Sequence, residues 1–199
     1  MPSGGIRKMT DYRGRIEATP VKPGQVMSSE TRTSHGNFFM VGIAELSVVR
    51  DQELVLRTFP LGACLGIAIH DPVMKVSGLL HTMLPDSTID SQRAAAKPGM
   101  FLDTGLAKLL DEAHRLGALE ERLLICVAGG GRIMDESAYF NLGQRNHEVL
   151  EALLAKRGLK IRAQSVGGLV NRTLQLDAST GEASVNISGQ AEKKLLCRP

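Results

Sequence analysis

The sequence predicts an α+β fold: mixed or antiparallel β-sheets in a sandwich-like core, with two main helices packed on the outside. Three observations carry this. About eight segments of strand length are grouped along the chain rather than alternating one by one with helices, which argues against a doubly wound sheet. Only two stretches hold apolar residues at helical spacing. No internal repeat interrupts the pattern.

The elements follow in order. Residues 1–37 are rich in Gly, Ser, Thr, Pro and charge and read as a flexible basic extension. Phe38 to Val49 is an apolar strand, and Glu53 to Phe59 alternates polar and apolar as a second. Leu61–Ile69 and Val76–Leu84 are two more, joined through Asp71-Pro72, where proline ends the ladder. The 86–100 stretch is polar and irregular. Leu102, Leu106, Leu109, Leu110 and Ala113 mark a helix that stops at Gly117. Arg122–Ala128 is a short buried strand running into the turn Gly129-Gly-Gly131. Asn141 caps a second helix to Arg157, with Val149, Leu150, Leu153 and Leu154 inward and Gly158 beyond its end. Strands at 159–166, 172–176 and 182–187 complete the domain, the last two joined by a turn at 177–181. The domain therefore spans 38–190, followed by a polar tail over 191–199.

Composition excludes several classes. Mean hydropathy is −0.04, and no apolar run is long enough to cross a bilayer. The first residues have no apolar core of a secretory signal. The net charge of +3 resides wholly in residues 1–37, which hold six Arg or Lys against three Asp or Glu. A neutral body with few aromatics is not a nucleic-acid binder. Three cysteines without CxxC spacing argue against a disulfide framework or a structural zinc site, and point to a reducing cytosol. Cys126 reads as core and Cys197 as part of a polar end.

The informative pair is Cys64 with His81, seventeen residues on. A hairpin closing around Val73 sets Cys64 against Thr82 and Leu65 against His81; a shift of one residue sets Cys64 against His81 itself. Opposite residues share a face, and a thiol beside an imidazole is an activated nucleophile for acyl transfer. Gly62 and Ala63 allow close backbone approach and offer N–H groups to an oxyanion. Thr58 is the nearest upstream hydroxyl to hold the imidazole. Against this, a cysteine in an apolar run is by default core, and a lone strand histidine is by default structural. His70 is a competing base, expected to cap the turn in solvent; His35, His114 and His147 read as solvated.

Several blocks in one order resemble a known family, the chemoreceptor glutamine deamidases (CheD) of bacterial chemotaxis, over roughly residues 39–187. They are Val41-Gly-Ile-Ala-Glu45, Thr58-Phe-Pro-Leu-Gly-Ala-Cys64, Gly78-Leu-Leu-His-Thr-Met-Leu-Pro85, Phe101-Leu-Asp103, Ala128-Gly-Gly-Gly-Arg-Ile-Met134, Leu142-Gly-Gln-Arg-Asn146, Val166-Gly-Gly168 and Asn171-Arg172 with Thr180-Gly181. The resemblance implies Cys64 as nucleophile, His81 as general base and acid, and Thr58 as the group orienting the imidazole. It makes Phe101, Asp103, Arg145 and Asn146 candidates for the substrate cleft. It implies hydrolysis of glutamine side chains on cytoplasmic chemoreceptor helices, a fold similar to toxin-type cysteine deamidases, and neither metal nor cofactor. A CheC-type response-regulator phosphatase is an implied partner of an otherwise monomeric cytoplasmic protein. Two departures stand out: Ala63 replaces the family's usual serine, and Phe101 its frequent tyrosine. The Ala63 departure keeps open a second expectation, a non-catalytic adaptor docking to receptors or to the phosphatase.

Overall fold

In the computed structural model, which describes residues 30–33, 36–132, 141–191 and 194–198, the grouped strands form two mixed sheets stacked face to face. One sheet holds β1 (Glu30–Thr33), β2 (Gly36–Val41), β4 (Val55–Thr58), β9 (Arg172–Asp177), β10 (Ala183–Ile187) and β11 (Lys194–Cys197), in that spatial order. The other holds β3 (Glu45–Arg50), β6 (Val76–Thr82), β5 (Leu65–Asp71), β7 (Leu124–Gly129) and β8 (Ile161–Val166), again in spatial order. β2–β4 and β7–β8 run parallel and the remaining neighbours antiparallel. Helices α2 (Leu102–Arg115) and α3 (Leu142–Lys156) cover the outer face of the second sheet, and a short α1 (Ser91–Ala96) precedes α2.

The second sheet is thus the middle layer. β5 and β6 are buried along their whole length, as a strand covered on both faces must be. Leu65, Ile67, Ile69, Val76 and Leu80 meet Leu102, Leu106, Leu109, Leu110, Leu150 and Leu154 of the helices. The alternate residues Ala68 and Leu79 face the other sheet, where Val41, Leu56, Leu61, Leu174, Leu176 and Val185 close the inter-sheet layer. Each such buried Leu, Ile or Val side chain contributes roughly 1.5–3 kcal/mol. The helical periodicity is borne out: Leu102, Leu106, Leu109, Leu110 and Ala113 are the inward residues of α2. Asn141 caps α3, its side chain accepting from the Gln144 N–H at 3.3 Å.

Five expectations are corrected. The apolar block 38–49 is two strands, because a turn at 42–44, with Ala44 at φ 65°, hands the chain from one sheet to the other. The 86–100 stretch is ordered by aspartate caps: Asp86 and Asp90 accept from Thr88 and Arg93 N–H and start a 3-10 turn and α1. The segment given to the extension contributes β1 and the start of β2; residues 1–29 lie outside the described part. Within the tail expected over 191–199, Lys194–Cys197 form β11 on the open edge of β10, where Leu196 and Cys197 pack against the inter-sheet core. Finally, Cys197 of β11 and Cys126 of β7 are joined by a disulfide across that layer, leaving Cys64 as the free thiol.

Candidate active site

The β5–β6 hairpin fixes the geometry. Asp71 pairs with Val76 around a four-residue turn, and the register runs Leu65–Thr82 and Gly66–His81. His81 therefore faces Gly66, one residue past the Leu65 register and two past the Cys64 register, because the turn is centred between Val73 and Met74 and not on Val73 or before it. Cys64, just before β5, lies diagonal to His81 on the same face, and its side chain packs on the inter-sheet core. His81 shares the alternation of Leu79 and so also points between the sheets. Thr58 ends β4 in the opposing sheet, on the same side as Leu56. Thiol, imidazole and hydroxyl thus lie toward the same end of one layer, carried by the loop before β5, by β6 and by β4.

Gly66 makes the meeting possible. A Cβ there would stand 2.9 Å from Leu61 Cδ1 and 3.3 Å from Thr58 Cγ2. The bare backbone lets Thr58 settle close over the sheet beside His81. The Thr58 hydroxyl oxygen accepts from the Leu174 N–H at 3.0 Å, which pins the side chain between β4 and β9 and leaves its O–H to donate.

The Cys64 loop is braced from behind by the glycine turn. Gly130 N–H donates to the Cys64 carbonyl and Gly131 N–H to the Gly62 carbonyl, both at 2.8 Å. Gly129 has φ 109°, and a Cβ on it would lie 2.1 Å from the Cys64 carbonyl oxygen, so only glycine fits. Ile133 and Met134, the end of the resembling block, lie outside the described residues. The N–H groups of Gly62, Ala63 and Cys64 donate to no backbone carbonyl among the described residues.

Asn146 of α3 is fully buried, and its Nδ2 donates to the carbonyls of Ala63 at 3.1 Å and Met83 at 3.0 Å. One amide thus clamps the cysteine segment to the histidine segment. A cleft role was expected of this residue; the structure places it beneath the site. The Ala63 side chain is buried too. Phe101 is wholly buried in the core. Asp103 accepts from the backbone N–H and hydroxyl of Ser87 and so ties down the 86–90 loop. Arg145 is exposed and pairs with Asp86 at 3.7 Å. Of the four cleft candidates, Phe101 and Asn146 are buried, Asp103 is half-buried and Arg145 is exposed.

Electrostatically the pair rests uncharged. Burial pushes the Cys64 thiol above its ordinary range, opposed by its own backbone N–H. Burial also lowers the His81 imidazole, opposed by the Val41 carbonyl and the Glu45 carboxylate. His81 is 0% exposed, yet neither ring nitrogen makes a hydrogen bond of good geometry. The Thr58 hydroxyl makes no hydrogen bond to the ring.

Sequence reasoning passed over two features of the site's mouth and flank, and it misplaced His70. Phe59, Leu169 and Val170 are exposed apolar side chains on loops joined by the Leu61–Arg172 bridge. Glu45 lies directly opposite His81 on β3. The signal for Glu45 was present only as its place in the first resembling block. His70, expected in solvent, is buried and bonded to Ser77. Among the described residues, no three His, Cys, Asp or Glu gather to hold a metal, and no helix is long and apolar enough to cross a membrane.

Comparison with known proteins identifies a family and named relatives that the chain resembles. Residues 83–187 match the family model for CheD chemotactic sensory transduction. The chain is 40% identical over 154 residues to a protein of Solibacter usitatus named probable chemoreceptor glutamine deamidase CheD, covering 77% of this chain and 91% of that one. A Syntrophus aciditrophicus protein named probable chemoreceptor glutamine deamidase CheD 1 is 38% identical, covering 78% and 98%. One from Pyrococcus abyssi, named like the first, is 36% identical, covering 78% and 96%.

Proposed function

This chain belongs to the CheD family, and from that premise we propose that it is an enzyme that hydrolyses glutamine side chains of chemoreceptors to glutamate, with Cys64 as nucleophile and His81 as acid and base. The observation that carries the reading is the convergence of Cys64, His81 and Thr58 at one end of the inter-sheet layer. The absence of a hydrogen bond of good geometry at either His81 ring nitrogen among the described residues supports it, since it leaves a ring nitrogen open to exchange a proton with the thiol.

The chemistry runs in two halves. Cys64 Sγ attacks the carboxamide carbon while its proton passes to His81. The electron pair of the carbonyl moves to oxygen, and N–H groups of Gly62, Ala63 and Cys64 receive the oxyanion. His81 then returns the proton to the amide nitrogen, the C–N bond breaks, and ammonia leaves a thioester on Cys64. Water, deprotonated by His81, attacks the thioester, the C–S bond breaks, and the thiol is regenerated with a glutamate carboxylate. A neutral thiol and a neutral imidazole suit this order, because the proton moves only as the bond forms. Thr58, with its O–H free, holds the ring as the charge develops. Ala63 in place of serine is tolerated in this scheme, because its contribution is a backbone N–H.

Arg145 and the exposed apolar residues at the mouth meet the receptor segment. Under the same proposal the enzyme works as a monomer in the cytoplasm, and a CheC-type phosphatase is a further partner. The sandwich is, on this reading, similar to that of toxin-type cysteine deamidases.

Ammonia release from a chemoreceptor cytoplasmic fragment, with mass spectrometry of the amide-to-acid conversion, tests the proposal. Wild type is expected to convert the fragment, and Cys64→Ala and His81→Ala to lose conversion while remaining folded. Conversion undiminished in Cys64→Ala would sink it. A folded wild type that binds the fragment without converting it would favour an adaptor.

A further inference from the structure

The β3–β6 ladder sets Glu45 and His81 as direct antiparallel partners. Side chains so placed have Cβ atoms roughly 4.5–5.5 Å apart on one face. The face is the inter-sheet one: Leu46 and Val48 turn to the helix side, so Glu45 goes with Ser47 and Val49. Two further contacts hold the arrangement. Ala44 N–H donates to the His81 carbonyl at 2.9 Å, which locks the end of the ladder. The Glu45 Oε2 accepts from the Gly42 N–H at 3.0 Å, which draws the carboxylate back over the turn.

We propose that Glu45 is a positioning residue of the site: its carboxylate stabilises the imidazolium that His81 becomes while it holds the Cys64 proton. The proposal rests on the Cys64–His81 reading above and adds a third strand to it. Glu45 neither gives nor takes a proton; the transfer stays between sulfur and ring. The carboxylate favours the charged ring against the burial that disfavours it.

The other groups facing this pair are few. Cys64 comes from the loop before β5, the uncharged Thr58 from β4, and the Val41 carbonyl from β2. On its outer side Glu45 shares a cleft of about 240 Å³ with Lys97, Lys108 and Glu112. Lys108 is already paired with Glu112 at 3.9 Å, and Lys97 is exposed.

Glu45→Gln separates charge from structure, because a glutamine oxygen still accepts from Gly42 while the charge is gone. The measurement is kcat and KM for ammonia release across pH, with the rate of Cys64 alkylation by iodoacetamide over the same range. Glu45→Gln is expected to lower kcat about tenfold, the equivalent of one pK unit of imidazolium stabilisation, with KM unchanged. The acid limb set by His81 moves to lower pH, and alkylation at neutral pH slows in parallel. Glu45→Asp keeps the limb near its wild-type position and Glu45→Ala does not, a contrast that also serves where Glu45→Gln does not fold. An unmoved limb and an unchanged kcat in Glu45→Gln overturn the role of Glu45. If Cys64→Ala or His81→Ala in the same assay still releases ammonia, it is the underlying Cys64–His81 reading that falls.

Discussion

The β5–β6 hairpin carries two buried histidines on one face, His70 near the turn and His81 at the open end, and their surroundings differ in kind. His70 pairs across the ladder with Ser77; its Nδ1 lies 2.8 Å from the Ser77 hydroxyl, which donates onward to the Ala178 carbonyl at 3.1 Å. His81 pairs across the ladder with Gly66 and makes no hydrogen bond of good geometry at either nitrogen among the described residues. Burial depresses both imidazoles. The residue opposite decides what each one does. A hydroxyl opposite turns a histidine into a strut between sheets; a glycine opposite leaves room for a second strand to deliver a hydroxyl and for a thiol to approach diagonally.

Replacing each histidine is the strongest way to break that comparison. His81→Ala is expected to lose roughly 10²–10⁴-fold in deamidation, the usual contribution of a general acid–base. Its stability loss is the smaller of the two, since the substitution removes two unsatisfied buried nitrogens. His70→Ala is expected to cost about 1–3 kcal/mol by stranding Ser77 and loosening the β9–β10 turn, with activity per folded molecule unchanged. Urea unfolding beside ammonia release checks both; equal activity losses would erase the distinction.

Asn146→Ala probes the open end alone. It leaves the Ala63 and Met83 carbonyls without their donor, a loss of about 1–3 kcal/mol, and it frees the cysteine and histidine segments to shift. Turnover at saturating substrate should fall even where the protein is folded. His70→Ala should not reproduce that fall.

The smallest effect is on pH. Both rings are held below the ordinary 6.5 by burial, opposed at His70 by Asp71 and Asp177 and at His81 by Val41 and Glu45. The unfolded chain binds protons near pH 6.5 that the folded chain refuses. The stability this contributes is full above 6.5 and is lost as pH falls below it. Asp71, raised by burial, is carried below the ordinary 3.8 by Arg122 and by the N–H groups of Leu119, Met74 and Val73, so a second loss sets in as pH falls past 3.8. Urea midpoints across pH should therefore fall in two stages, and His70→Ala should shrink the first.

Much of this was legible along the chain. The apolar positions of α2 and α3 and the cap at Asn141 follow from short-range periodicity and hydrogen bonding, which a sequence carries in itself. The Cys64–His81 pair was legible because a single tight turn joins its strands. The register was not, since a turn's length fixes it and one residue changes which side chains meet. The caps at Asp86 and Asp90 and the strand β11 were missed for related reasons: the caps lie in a polar stretch without period, and β11 exists only because β10 offers an edge.

The sequence by itself determined the fold class, the helices, the thiol and imidazole, and the family those blocks resemble. Tertiary structure alone decided that Gly66 faces His81, that Glu45 stands opposite it from β3, that Asn146 clamps the two segments from below, and that Cys126 meets Cys197. The reason is separation: each of these depends on strand order and sheet stacking, where the partners are fixed by long-range burial and no local pattern records which strand will lie beside which.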